Sequence, residues 1–120
     1  PGIISYETLP GGGTTDYAVA IFFEAGKYKK YTCFLREDTR LPMMDMPDCL
    51  KATLDLMEAD FSRLKHHTDF NVTAMSFSAG ELAAQIKKHI PEFSCDYKPD
   101  FRQQIADSWP KSIDDSAARK

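Results

Sequence analysis

The chain has 120 residues, 42% of them hydrophobic and 28% charged, enough for one domain that buries roughly two-thirds of its unfolded surface without metal or disulfide staples. Eighteen acidic against fifteen basic side chains leave a net charge of -3, which gives no electrostatic footprint for a nucleic-acid backbone. No apolar run approaches the ~20 residues of a membrane span, and Cys33, Cys49 and Cys95, odd in number and without C-x-x-C spacing, read as reduced thiols among apolar or strand-like neighbours.

Pro1-Gly-Ile-Ile-Ser5 reads as the exit of a strand, and Ile3 and Ile4 lead into the loop Pro10-Gly11-Gly12-Gly13, since three consecutive glycines are costly to hold in a regular element. A helix is predicted next, with Thr14 or Thr15 as N-cap, Asp16 in a first turn that favours negative charge, apolar residues to Ala25 and Gly26 as the stop. Tyr31 to Leu35 has strand composition; Glu37-Asp38-Thr39-Arg40 makes a polar turn before Leu41-Pro42, and Met43 to Met46 predicts a second short strand. Pro47 or Asp48 opens a helix through Glu58, whose Leu50, Leu54 and Met57 fall on one face at i, i+4, i+7 and predict a core contact.

Phe70 to Thr73 predicts a further strand, and Ser78-Ala-Gly-Glu81 matches the capping box, which starts a helix running to about His89 before Pro91. Phe93 to Tyr97 is strand-like, Phe101 to Ala106 a short helix, and Ser112-Ile-Asp-Asp115 leads into one more helical turn. Alternating strands and helices predict an α/β arrangement with part of a sheet covered by helices. The chain has no internal repeat, low-complexity tract or linker.

The segment Gly11-Gly12-Gly13-Thr14-Thr15-Asp16 brings two hydroxyls and a carboxylate to a helix start on a flexible loop, chemistry suited to an amine. A carboxylate in the first turn repels phosphate, and neither G-x-G-x-x-G nor a P-loop lysine is present. The simpler structural account is a glycine turn with a capped helix. His66-His67 has no carboxylate or cysteine at ligand spacing and Lys65 adds repulsion, so the pair predicts solvated loop residues and no metal. Asp45, Asp48, Asp114 and Asp115 invite a paired-acid reading, but Asp48 and one of Asp114 and Asp115 are more simply helix caps. By composition Trp109 is a core plug and Met43-Met44 gap-filling core, although either side chain also suits a pocket wall.

Pro1-Gly-Ile-Ile-Ser5, Leu9-Pro-Gly-Gly-Gly-Thr-Thr-Asp-Tyr-Ala-Val19, Leu41-Pro-Met-Met44, Asn71-Val-Thr-Ala-Met-Ser-Phe77, Ala106-Asp-Ser-Trp-Pro110 and Asp114-Asp-Ser-Ala-Ala-Arg-Lys120 together resemble the epimerase-like threonine dehydrogenases over nearly the whole chain. Gly-Gly-Gly-Thr-Thr-Asp-Tyr is the most specific of these strings. The resemblance implies the C-terminal, substrate-side portion of a Rossmann-type extended short-chain dehydrogenase, with the NAD-binding half outside this chain. It implies oxidation of L-threonine to 2-amino-3-ketobutyrate with NAD as cofactor, and a homodimer paired through the N-terminal half. It also implies a mitochondrial setting in eukaryotes and a cytoplasmic one in bacteria.

The family's Tyr-x-x-x-Lys pair is expected upstream: Tyr6, Tyr17, Tyr28, Tyr31 and Tyr97 all lack a lysine four positions on, and the glycine fingerprint is missing, so the chain alone is expected to be inactive. By resemblance Thr14 and Asp16 contact threonine, with Asp16 suited to its ammonium; Pro1 and Ile3 stand beside the nicotinamide; Trp109 lies near the pocket mouth, and Thr15 and Met44 line the wall. Asp45 departs from the aromatic, commonly tyrosine, that such dehydrogenases more often carry after the paired methionines. Two other readings compete: an amino-acid-binding or subunit-contact module without catalysis, and a nucleotide-sugar epimerase or dehydratase, for which Arg36, Arg40 and Arg102 are the available basic residues.

Overall fold

A computed structural model of the chain describes residues 1–67 and 70–119; Lys120, the last residue of the Asp114 string, lies outside the described residues. Strand β1 (Gly2–Ile4) runs parallel to β3 (Arg40–Asp45), pairing Gly2 with Met43 and Ile4 with Asp45. On the other edge of β3, β4 (Met75–Ser78) runs antiparallel, with Arg40 opposite Ser78 and Met43 opposite Met75. A second, two-stranded parallel sheet joins β2 (Lys30–Cys33) to β5 (Ser94–Tyr97). Helices α1 (Tyr17–Tyr28), α2 (Met46–Glu58), α3 (Ala79–His89) and α4 (Arg102–Ser108) complete the α/β arrangement expected from the alternating pattern.

One core serves both sheets. Tyr17, Ala18, Ile21 and Ala25 of α1 meet Ala79, Ala83 and Ile86 of α3, with Tyr31 and Cys33 from β2, Leu41 and Met43 from β3, and Leu35, Phe93 and Ala106 closing the cluster. The Tyr17 ring packs edge-on against Phe34 at 6.5 Å and 89°. Arg40 ties three elements, donating from Nη1 to the Ser76 carbonyl at 2.7 Å on β4 and from Nη2 to Glu81 on α3. The capping box read at Ser78 is present: the Ser78 hydroxyl accepts from the Glu81 amide at 3.1 Å, and the Glu81 carboxylate accepts from the Ser78 amide at 3.3 Å.

Several expectations are corrected. The strand predicted at Phe70–Thr73 is not one, because the backbone of Thr73 is satisfied by side chains: its amide donates to Asp115 at 3.4 Å and its carbonyl accepts from Arg119 at 3.2 Å. Pairing with β3 begins only at Met75. Strand β3 itself starts at Arg40, earlier than the predicted Met43. Pro42 is tolerated there because β1 reaches β3 only from Met43 onward, leaving position 42 with a strand on one side alone. Strand β2 ends at Cys33 and not at Leu35, which is nonetheless fully buried.

Helix α1 continues through Gly26 to Tyr28; Lys29, left-handed at φ 57°, closes it by donating its amide to the Ala25 carbonyl at 3.1 Å. Helix α2 opens at Met46, with Pro47 in its first turn, and is capped by Asp45 rather than Asp48. Asp45 is extended at ψ 149° and its carboxylate accepts from the Met46 amide at 3.0 Å, so the departure from an aromatic at this position has a local use. The face of α2 read as core is open: Leu50, Leu54 and Met57 are 56%, 57% and 76% exposed, and α2 buries no residue. Helical periodicity marks a face that can be covered, whereas only tertiary neighbours decide whether it is. The turn expected after Ser112–Asp115 is present at 116–119, with the Asp115 carbonyl accepting from Ala118 and Arg119 at 3.0 and 3.2 Å.

All three cysteines are free, and none stands in a loop: Cys33 is on β2, Cys49 on α2 and Cys95 on β5. The Cys33 thiol, on β2, is pushed up to about 11, first by burial, and burial also raises the phenols of Tyr17 and Tyr31. An unfolded chain releases these protons at lower pH than the folded one. Stability from this source is therefore complete below the unfolded thiol value of 9.0 and is lost as pH rises toward about 11. Urea midpoints measured from about pH 7.5 to about 10.5 are expected to fall across the upper half of that range, and a flat profile would contradict the burial argument.

Candidate functional site

The loop from Ser5 to Gly13 leaves β1 and returns to it. Its last part, Pro10 to Gly13, has no ladder of its own, and Gly12 adopts φ +93°. A single 3₁₀ turn, Thr14–Asp16, follows directly and packs beside β1. Gly13, and neither threonine, is the N-cap of that turn. Its amide donates to Asp16 Oδ2 at 2.9 Å, while Gly11 donates to the same oxygen at 2.8 Å. The Asp16 carboxylate is thus both helix-start ligand and loop tie. Among the described residues its second oxygen, Oδ1, takes no hydrogen bond.

The fit of this turn against β1 depends on Gly2. A Cβ there would lie 2.7 Å from both Thr15 Cβ and Cγ2 and 2.6 Å from Met43 Sδ, closer than packed carbon atoms allow. Only a glycine lets Thr15 reach the strand.

Between β1, the 3₁₀ turn, the start of β3 and the segment after α4 lies an open cleft of about 470 Å³, lined by Pro1, Gly2, Ile3, Thr15, Asp16, Leu41, Pro42, Trp109, Pro110 and Ile113. Asp16 is the one charged side chain in that lining; the remainder is apolar apart from the Thr15 hydroxyl and the Trp109 indole N–H. The cleft brings together five residues singled out in the sequence: Pro1, Ile3, Thr15, Asp16 and Trp109. Trp109 is 43% exposed, so it is a rim residue and not the core plug that composition favours. Its backbone is extended, and its amide caps α4 by donating to the Ala106 carbonyl at 3.1 Å, which turns the chain back across the cleft.

Thr14 and Met44 do not join that lining. Thr14 is 8% exposed, packed beneath the turn. Met44, also buried, lines a separate groove of about 840 Å³ between α2, the 60–65 segment and the 115–119 turn. Leu41, Pro42, Pro110 and Ile113 were not anticipated; the Leu-Pro and Trp-Pro pairs were the available signal, since one proline of each pair lines the cleft. His67 stacks on Phe61 with centroids 4.0 Å apart, and His66 meets Phe70 edge-on, well away from the cleft lining. Among the described residues no three His, Cys, Asp or Glu side chains gather at metal-binding distance, and no helix is long and apolar enough to cross a membrane.

No protein-family model matches the chain. Individual proteins do. Over the whole chain it is 56% identical to the mitochondrial L-threonine 3-dehydrogenase of Bos taurus, covering 32% of that protein, and 50% identical to an uncharacterized epimerase/dehydratase of Staphylococcus haemolyticus, covering 38%. The crystal structure of an L-threonine dehydrogenase from Phytophthora infestans superposes with a TM-score of 0.97 at 64% identity, over 100% of this chain and 39% of that one. The chain is homologous to the L-threonine 3-dehydrogenases.

It matches their C-terminal portion and spans about a third of the length of the curated relatives. A further solved threonine dehydrogenase, 53% identical with a TM-score of 0.96, is described as monomeric. The α/β arrangement expected for this part of an epimerase-like dehydrogenase is the one observed. The strings Gly11–Asp16 and Ala106–Pro110, which carry much of the resemblance, are the two segments that converge on the cleft.

Proposed function

We propose that this chain forms the substrate-side wall of an NAD-dependent L-threonine 3-dehydrogenase, which oxidises L-threonine to 2-amino-3-ketobutyrate. The observation that carries this reading is the lone carboxylate of Asp16 in a cleft whose other side chains are uncharged. An ammonium is the group that such a site selects, because a charge-assisted hydrogen bond in apolar surroundings is stronger than in water. With Oδ2 engaged by two loop amides, Oδ1 is the oxygen left to meet the ligand's nitrogen. Thr15 offers a hydroxyl beside it, and Trp109 with Pro110 shields the mouth from water. Thr14 supports the turn from below, and Met44 backs the wall from the groove side.

The cleft fits one end of NAD. Pro1 and Ile3 give an apolar edge suited to a nicotinamide face, whereas the lining has no Lys or Arg to meet a pyrophosphate. Bound NAD supplies the hydride acceptor; this chain orients the amino acid and excludes water. The proton-accepting tyrosine and its lysine are assigned to the N-terminal half, as is the homodimer contact. A mitochondrial location follows the eukaryotic relatives, and a cytoplasmic one suits a bacterial source.

The absence of basic side chains from the lining weighs against a nucleotide-sugar substrate, since Arg36, Arg40 and Arg102 all point into other partnerships. The full-length protein is expected to reduce NAD with L-threonine and to show no turnover of nucleotide sugars. Threonine binding with no NAD reduction would replace the dehydrogenase with the binding-module reading, and turnover of a nucleotide sugar would replace it with an epimerase.

A further inference from the structure

The glycine loop has almost nothing of its own to hold it in place. Gly11, Gly12 and Gly13 are exposed, belong to no strand or helix, and have no side chains to pack. Each glycine leaves the backbone more conformational freedom than any other residue. Yet the loop sets where Asp16 points, because two of its amides share one carboxylate oxygen. Asp16 ties the loop from the inside. A second side chain, distant in sequence, ties it from the outside.

That side chain is Arg102, the first residue of α4, whose Nη1 donates to the Gly12 carbonyl at 3.1 Å. The guanidinium is itself fixed on its other sides. Its Cζ sits 3.3 Å from the centroid of the Phe34 ring. Nε and Nη2 form a two-pronged pair with Asp100, at 3.0 and 2.6 Å to Oδ2, and only 20% of the arginine side chain is exposed. Asp100 is anchored in turn: its carboxylate accepts from the Arg102 amide at 2.8 Å, and its own amide donates to the Phe34 carbonyl at 3.1 Å.

Phe34 packs on the core against Tyr17, so the brace runs from the protein's interior to the tip of the loop. α4 is fixed independently by Gln103, whose buried amide oxygen accepts from the Arg36 amide at 2.7 Å and the Thr39 hydroxyl at 3.1 Å. A planar fork that stacks, pairs and still has a donor to spare is a task for arginine; a lysine ammonium is a point charge without that fixed set of directions.

We propose that Arg102 is a positioning residue for the cleft: by holding the Gly12 carbonyl it fixes the loop in the form whose Gly11 and Gly13 amides aim the Asp16 carboxylate at an incoming ammonium. Arg102 is outside the cleft lining and acts only through the loop. This rests on the reading of Asp16 as the ammonium contact, and the experiment separates the two claims.

Steady-state kinetics on the full-length protein would compare wild type, Arg102→Gln, Arg102→Lys, Asp16→Asn and the Arg102→Gln/Asp16→Asn double variant, with thermal midpoints recorded for each. Arg102→Gln is expected to raise the threonine KM about tenfold while the NAD KM stays unchanged, because only the aim of the ammonium contact is lost. Arg102→Lys keeps the charge and is expected to recover little of it. In the double variant the effect of Arg102→Gln should nearly vanish, since the residue it acts through is already neutralised.

A threonine KM that rises in Asp16→Asn but stays at the wild-type value in Arg102→Lys overturns the role of Arg102 alone. Two substitutions that multiply independently in the double variant overturn it as well. A wild-type KM in Asp16→Asn sinks the ammonium reading beneath it. Should Arg102→Gln prove unfolded by its thermal midpoint, Arg102→Lys decides the matter, since it retains the positive charge and an aliphatic stem to lie along Phe34.

Discussion

Replacing Asp16 with asparagine in the full-length protein is expected to raise the threonine KM by about 10- to 100-fold, the cost of exchanging a charge-assisted hydrogen bond for a neutral one in an apolar cleft. The substitution is conservative in shape. An asparagine carbonyl can still accept from the Gly11 and Gly13 amides, which lie 2.8 and 2.9 Å from the native oxygen, so the loop keeps its tie while the charge is removed. The thermal midpoint should therefore move little. A kinetic loss accompanied by a large stability loss would instead identify Asp16 as a loop fastener with no part in binding, the structural account open from the sequence alone.

The second large effect is expected at Gly2. A methyl group there would sit 2.7 Å from two carbons of Thr15 and 2.6 Å from Met43 Sδ. Met43 is flexible enough to turn aside, but it is fully buried, and β-branched Thr15 is fixed within the 3₁₀ turn that it would have to abandon. Overpacking of this kind costs about 1–3 kcal/mol. Gly2→Ala is expected to lower the denaturant midpoint by a corresponding amount and also to raise the threonine KM, since the turn carrying Asp16 moves with Thr15. Unaltered stability and kinetics together would mean that β1 and the turn are not in the close contact described.

The residues legible in the sequence were those whose chemistry is local. The Ser78–Glu81 box announces a helix start because both partners lie within four residues, and the Gly11–Gly13 run announces a loop because no regular element holds three glycines cheaply. The resemblance to threonine dehydrogenases names Pro1, Ile3, Thr14, Thr15, Asp16, Met44 and Trp109. The fold brings Pro1, Ile3, Thr15, Asp16 and Trp109 to one cleft, an assembly that periodicity could not make from segments a hundred residues apart, and leaves Thr14 and Met44 outside its lining.

What stayed hidden depended on distant partners. Phe70 to Thr73 has strand composition, but Asp115 and Arg119 claim the backbone of Thr73 before a neighbouring strand can. Leu50, Leu54 and Met57 keep helical spacing without a surface to bury them in this chain. Gly26 fails to stop α1 because a left-handed lysine three residues later does so instead. The bracing role of Arg102 lies in three simultaneous contacts, with Phe34, Asp100 and Gly12, that no linear pattern displays.

Gly12 has a further consequence, one of handedness. At φ +93° it occupies backbone space that L-residues rarely enter, yet a Cβ built there meets nothing within 4 Å. The position is thus restricted by chirality and not by room, unlike Gly2, where the restriction is room alone. A D-alanine introduced at residue 12 by chemical synthesis would accept this backbone, leave the carbonyl available to Arg102 and narrow the loop's unfolded freedom, whereas its mirror image would strain the same bend. The loop that presents Asp16 can in this way be stiffened by inverting one stereocentre, with no change to any side chain that lines the cleft.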